Sequence, residues 1–395
     1  MNLKSLTLIA PLFVIFLSGK AQPLEIEWEK KMGTSGADMF IDILEDNTGG
    51  FTVLGASKSK TDRTRDFWLV HFEMNGDTLW TKIMGSESQD YPFSLAQLTD
   101  NGYVLVGKSE QDGSSRALVI KTDENGNEIW QKKIGDDAYT CADNVIALDD
   151  GCFVVSGSKL SGENNEMIWL IKFDSAGNTV WERLVEEGSM FSVRSLKKLP
   201  DGGFVLAGKV AEQNISDSEL MVVRFTGEGE IIWEYKSDLK GKNVWPECIC
   251  CSPDSNFVVI GWHGTCMNDI NSENPVFDYD LYISKISQKG KLIWSRKIDS
   301  EGSEGGNAVA VRTDGKILMA GKKETSFLGN IGPWIVLSDD KGEKISELVM
   351  PFVFSDDQAA EIINSSDGGF VVIGPGKIDY ANTRSDGWIK KFKAF

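Results

Sequence analysis

Basic charge is scarce in this chain, and histidine is scarcer. Against 59 aspartates and glutamates stand 41 lysines and arginines, and only His71 and His263 carry an imidazole. A formal net charge of −18 gives no basic excess for a phosphate backbone, which argues against nucleic acid as a partner. Histidine-dependent hydrolysis would rest on one of the two histidines alone. His71 alternates with Val70 and Phe72 and reads as a packed strand residue. No Gly-x-Ser-x-Gly elbow and no phosphate loop is present. No cysteine precedes Cys141, which excludes a lipid on a mature N-terminal cysteine. No run after Leu17 is apolar enough to span a bilayer, which takes about 20 residues.

What the chain does have begins with a leader. Lys4 gives a positive start, Leu6 to Leu17 a short apolar core, and Gly19-Lys20-Ala21 small residues before a cut at Gln22. Residues 1–21 therefore read as a signal peptide and residues 22–395 as the exported domain, secreted, periplasmic or on the cell surface. Removing Lys4 and Lys20 moves the formal charge from −18 to −20.

The exported part repeats itself. Trp28, Trp80, Trp130, Trp181, Trp233 and Trp294 follow one another at gaps of 52, 50, 51, 52 and 61 residues, and Leu348 comes 54 residues later. Such a period signals stacked or radial repeats. Within Gly33–Trp80, four strand-like runs alternate with polar turns, the last turn holding Asn75-Gly76, a strong hairpin signal. We label the runs A to D. Strand B ends in glycine in every copy, at Gly55, Gly107, Gly157, Gly208, Gly261, Gly321 and Gly374. A glycine fixed in a strand marks close backbone approach or a bulge. Glycine also sits in six C–D turns, from Gly76 to Gly342.

The last copy stops after strand C, at Gly387–Phe392, and Glu25–Met32 is a strand D without a repeat of its own. The two fragments complete each other. The sequence thus predicts an all-β, seven-bladed β-propeller of four-stranded antiparallel blades, its last blade closed by the N-terminal strand.

Leu118 to Trp130 and Asp201 to Gly208 resemble the repeat phrases of bacterial secreted propellers, and the resemblance runs over about residues 24–395. Those repeats are similar in turn to quinoprotein-like propellers. The resemblance implies the propeller fold and export. It implies no reaction, because one fold carries many activities.

Candidate sites follow from strand direction. The D–A and B–C connections share one end of every blade, and the longest loops, at 56–66, 209–218, 262–280 and 322–332, are all B–C. Function rides on loops held by a rigid scaffold, so this face is the expected binding face. Its D–A loops carry Asp38, Asp90, Asp137, Asp143, Glu304, Asp356 and Asp357, with Lys58, Lys108, Lys159, Lys209 and Lys322 following strand B. These charges read as a ring holding a cation or a hydroxylated ligand, or as loop caps and interblade ion pairs. None shows the calcium-loop spacing.

Blade 5 departs most from the rule. Its B–C loop is the longest, and Trp262, His263 and Tyr279 offer aromatic surface for a sugar ring or a partner's apolar patch, or a small cap of their own. Cys248, Cys250, Cys251, His263 and Cys266 cluster in sequence, but their spacing matches no standard zinc pattern. Adjacent Cys250-Cys251 resembles the vicinal disulfide of quinoprotein dehydrogenases, which have eight larger blades. The expectation is a monomeric, non-enzymatic propeller without cofactor or catalytic residue, binding an unidentified protein or glycan. The alternatives are a carbohydrate-active or quinoprotein-type enzyme and a structural part of a cell-surface assembly.

Overall fold

The computed structural model describes residues 24–34, 36–58, 64–135, 139–161, 165–185, 190–211, 218–238, 243–267, 277–298, 302–325, 330–350, 358–375 and 385–395. The expected leader, residues 1–21, lies outside them. Blade 1 is β2 (Asp38–Glu45), β3 (Phe51–Lys58), β4 (Arg65–Phe72) and β5 (Thr78–Met84), hydrogen-bonded in that order. Five further blades follow the same plan, from β6 (Gln89–Gln97) to β25 (Lys344–Val349). The seventh is β26 (Glu361–Asn364), β27 (Phe370–Pro375) and β28 (Gly387–Phe392), with β1 (Ile26–Met32) as its outer strand. β1 lies antiparallel to β28 in a register running from Met32 beside Gly387 to Ile26 beside Phe392. The chain is a seven-bladed β-propeller closed by its own N-terminal strand, as the complementary ends predict.

Seven apolar cores hold the ring, one in each gap between neighbouring blades. Strands B and C are buried on both faces, so they read as continuous apolar runs, for example Phe51–Ser57. Strand D alternates half-buried and exposed side chains, as Ile26–Met32 does. The gap that closes the circle joins Val371, Ile373 and Ile389 of blade 7 to Phe40, Ile43 and Trp68 of blade 1. Among the described residues no helix is long and apolar enough to cross a membrane.

The tryptophan that ends each repeat does not serve its own blade. Trp28 lies against Gly76 in the C–D turn of the next blade, Trp80 against Gly126, Trp130 against Gly177, Trp181 against Gly229, Trp233 against Gly290 and Trp294 against Gly342. A Cβ on any of these glycines would come within 3 Å of the ring. Their φ angles of +73° to +86° would strain any other residue as well. Two indoles also bond the facing turn, Trp28 Nε1 to the Met74 carbonyl at 3.0 Å and Trp233 Nε1 to the Gln288 carbonyl at 2.9 Å.

This contact explains the one repeat that ends in leucine. Leu348 faces blade 7, whose strands C and D come from opposite ends of the chain, so no C–D turn exists there to receive an indole. Leu24, Ile26 and the C-terminal Phe395 pack on that core with Leu348 instead. Replacing Trp130 by Leu should cost about 1–3 kcal/mol of stability, because it empties the space over Gly177. Leu348→Trp should gain nothing. Chemical denaturation of the two variants checks both expectations.

Candidate functional site

The inner strands build the site. In blades 1 to 6 each inner strand shifts register by one residue opposite the strand B glycine, for example between Phe40 and Asp42 and between Pro246 and Cys248. The glycine is required because the carbonyl just before the bulge sits where its Cβ would be, 1.9 Å away at Gly261 and 1.8 Å at Gly157. The bulge leaves one extra residue per blade outside the ladder. These residues are Ile41, Phe93, Asp143, Arg194, Glu247 and Asn307, and all are at least partly exposed. They line the axial opening, on the side of the D–A and B–C loops.

One sector of this opening, over blades 4 to 6, is aromatic and cationic. β18 (Asn243–Cys251) and β19 (Phe257–Cys266) pair Trp245 directly with Trp262. Tyr279 meets Trp262 edge-on at 5.9 Å and lies 6.3 Å from Trp245. The Lys209 ammonium stands 3.9 Å over the Trp245 ring and the Lys322 ammonium 4.4 Å over Trp262. Each such contact is worth about 0.5–2 kcal/mol, more where water is excluded. Trp262 also presses onto Gly305, where a Cβ would fall 2.3 Å from the ring. Its Nε1 is buried without a hydrogen-bond partner.

Charge in this sector converges on a single carboxylate. Glu247 pairs with Arg194 at 3.8 Å. Burial raises the Glu247 carboxyl above its usual range, while Arg194, Lys209 and Lys322 pull it back. Burial, reinforced by Arg194, brings Lys209 down to about 8. Among the described residues the Lys209 ammonium makes no hydrogen bond and no ion pair.

Deeper along the axis lies a second polar layer. Asp42 accepts the Leu95 amide of the next blade at 2.9 Å. Lys197, Glu361, Cys248 and Cys250 share its field, although they come from blades 4, 7 and 5. Only the axis brings such distant blades together. Burial pushes Glu361 up to about 7, with Lys197 opposing and Asp42 adding to the rise. Burial also raises Asp42. Lys197 is half-buried, which works against its charge, but Cys248, Glu361 and Asp42 outweigh that and hold it above the usual range. Burial pushes the Cys248 thiol up to about 12 and Cys251 up to about 11, and raises Cys250, so these sulfurs stay protonated and inert.

The structure gathers some of the residues singled out from sequence and disperses others. Trp262 and Tyr279 meet at the mouth. Asp143 is a bulge residue on the same opening and accepts a bond from Cys141 at 2.9 Å. Asp38 and Asp90 are fully buried. Each closes its own D–A loop, taking the hydroxyl of Thr34 or Ser86 at 3.0 Å and the backbone amide of the same residue. Glu304 is likewise buried. Asp137, Asp356 and Asp357 lie outside the described residues.

Among the described side chains the cysteine and histidine set is dispersed; the Cys266 side chain lies outside them. His263 pairs with Val244 in the ladder and Cys248 with Ile260, which puts them about 10 Å apart along the strands. No group of three His, Cys, Asp or Glu able to hold a metal ion occurs among the described residues. Cys250 and Cys251 form no disulfide with each other. His263 is buried and stacked near Tyr282. His71 is buried as well, its Nδ1 at 3.0 Å from both the Asp46 carboxylate and the Thr52 hydroxyl. A hydrolytic triad needs acid and hydroxyl on opposite ring nitrogens, so this is a structural network. Sequence reasoning missed Trp245, Arg194, Glu247, Lys197 and Glu361. Aligning the inner strands around the bulge is the signal that finds them.

No family model matches the chain, and no curated protein does. Solved structures do. A protein of unknown function from Dyadobacter fermentans superposes with a TM-score of 0.57 at 9% identity, over 94% of this chain and 99% of that one. YCF48 bound to D1 peptide gives 0.54 at 13% identity, over 95% and 96%. An α-L-arabinofuranosidase from Fusarium graminearum in complex with an iminosugar inhibitor gives 0.52 at 12%, over 76% and 93%. At these identities the likeness is one of fold, and propellers of this fold include binding proteins and enzymes.

The axial layer makes stability depend on pH. Folding raises the Glu361 pKa from 4.5 to about 7, so the folded state binds the extra proton and loses stability as pH rises through that interval. Glu361→Gln, which mimics the protonated acid, should raise the thermal midpoint at pH 8 and leave it unchanged at pH 4. Calorimetry across that range measures the difference.

Proposed function

We propose that the chain is an exported, non-enzymatic binding propeller that takes a polypeptide or glycan on its D–A/B–C face. The observation that carries this reading is the gathering of Trp245, Trp262 and Tyr279 with Lys209, Lys322 and Arg194 at the axial mouth. Large aromatics and arginine on rigid elements are what binding hot spots use. The signal-like first 21 residues and the likeness to secreted bacterial repeats support export. The superposition on a propeller carrying a bound peptide supports the binding role. Affinity capture from the native envelope fraction, together with a glycan array, tests it. The purified chain should retain a partner that a Trp262→Ala, Tyr279→Ala double variant retains at least tenfold less. Equal retention by both chains removes the reading.

A second reading, a carbohydrate-active enzyme, rests on Asp42 and Glu361. They are two carboxylates in one enclosed field, with Glu361 pushed up to about 7, as a general acid requires. It predicts hydrolysis of an aryl glycoside that Glu361→Gln abolishes. No hydrolysis across a panel of such substrates discards it.

A further inference from the structure

Among the described residues, the mouth of blades 4 to 6 carries more charged donors than charged acceptors. Lysine and arginine heads only donate hydrogen bonds. Three of them, Arg194 on β14 (Met190–Lys198), Lys209 on β15 (Phe204–Ala211) and Lys322 on β23 (Ile317–Thr325), surround the one carboxylate of Glu247. That carboxylate is already engaged by Arg194. In a chain of net charge −18, Arg194 and Lys209 here exceed Glu247 by one positive charge among the described residues.

Lys209 is the group out of balance. Its ammonium has lost much of its water and gains in return the face of Trp245 and the field of Glu247, but no hydrogen bond among the described residues. An ammonium held away from water without an acceptor is costly. A carboxylate arriving beside it would restore the lost hydrogen bonds, and in a partly dry site that pair is stronger than on open surface.

The aromatic rings are poorly placed for a sugar. Trp262 is pressed onto Gly305 with the Lys322 ammonium over it, and Trp245 carries Lys209. Trp245 and Trp262 meet Tyr279 at 56° and 79°, so the three rings form walls rather than a flat platform.

We propose that this mouth receives an acidic polypeptide segment, its carboxylates on Lys209 and Arg194 and its apolar atoms against Trp245. This rests on the binding-propeller reading and names its ligand class. The groups that face Lys209 are Arg194 on β14 and Glu247 and Trp245 on β18. Ligand carboxylates remain ionised above pH 6, so affinity follows the charge of Lys209. It should be high near pH 7 and fall as pH rises through about 8.

The test measures binding of a fluorescent hexaglutamate peptide to the exported chain by anisotropy, with hexalysine, trigalacturonate and xylohexaose as parallel probes. The expected result is saturable hexaglutamate binding that weakens about tenfold from pH 7 to pH 9, the ratio of charged lysine at a pKa near 8. Lys209→Glu should weaken it at least tenfold at pH 7, with cooperative thermal unfolding retained as the folding control. Lys209→Arg should bind with the pH dependence gone. Hexaglutamate binding that ignores Lys209→Glu, or no hexaglutamate binding at all, overturns the inference. Tighter, Lys209-dependent binding of trigalacturonate also overturns it and leaves the binding propeller standing. If the captured partner depends on Trp262 and Tyr279 but hexaglutamate does not bind, only the ligand class falls. If neither binds, both readings fall together.

Discussion

The architecture depends on one contact, an outer-strand indole of each blade lying on the C–D turn glycine of the next. A four-stranded sheet with two apolar faces cannot stand alone, and each blade needs both neighbours to cover it. The seven interblade cores supply the bulk of that burial, and in six of the gaps the indole adds a contact at the outer rim. It is the wedge at the outer rim, and the glycine beneath it removes the side chain that would push the blades apart. The contact repeats in six of the seven gaps. The seventh gap, without a turn to grip, is held by Leu348, Leu24, Ile26 and Phe395. There the pairing of β1 with β28 takes over as the latch.

Closure has a consequence at the axis. In the closed ring the inner strands converge, and the bulge opposite each strand B glycine relieves them. The bulge therefore recurs at the same level of the blades, and its extra residue always meets the opening. The packing constrains the glycine and the apolar faces but leaves the bulge residue chemically free. That is why Ile41, Phe93, Asp143, Arg194, Glu247 and Asn307 differ so widely while the glycines opposite them do not. The scaffold and the site are written at interleaved positions of the same strands.

That interleaving decides what can be read from sequence. The indole period, the strand B glycines and the matching chain ends are patterns along one dimension, and they give the blade count and the latch directly. Trp262 and Tyr279 are legible because blade 5 breaks its own repeat. The axial layer is not, because Asp42, Lys197 and Glu361 are more than 150 residues apart and meet only through the ring. Cys248 and the inner-strand residues beyond each bulge, Lys197 among them, hide for another reason. A one-residue bulge shifts the face on which every later side chain falls, so simple alternation places the inner strands wrongly from that point on. Asp38 and Asp90 show the opposite error. As loop acids near the mouth they look available, yet the Thr34 and Ser86 hydroxyls and amides four residues back turn both carboxylates inward.

The two polar layers stand in different relations to water, and this separates their roles. Lys197, Asp42 and Glu361 balance one another inside the channel, where each is half-buried and part of the compensation comes from opposite blades. Their charges are a property of the closed ring, so they tie electrostatics to folding. At the mouth, Glu247 pairs with Arg194, and among the described residues the Lys209 ammonium beside the aromatic walls has no ion pair of its own. The indole face returns part of what the ammonium lost on leaving water, but without an acceptor its hydrogen bonds stay unmade. Residual cost of that kind, placed at the rim of a rigid channel and spared in the layer beneath it, is what distinguishes a surface prepared for a partner from one that only completes the fold.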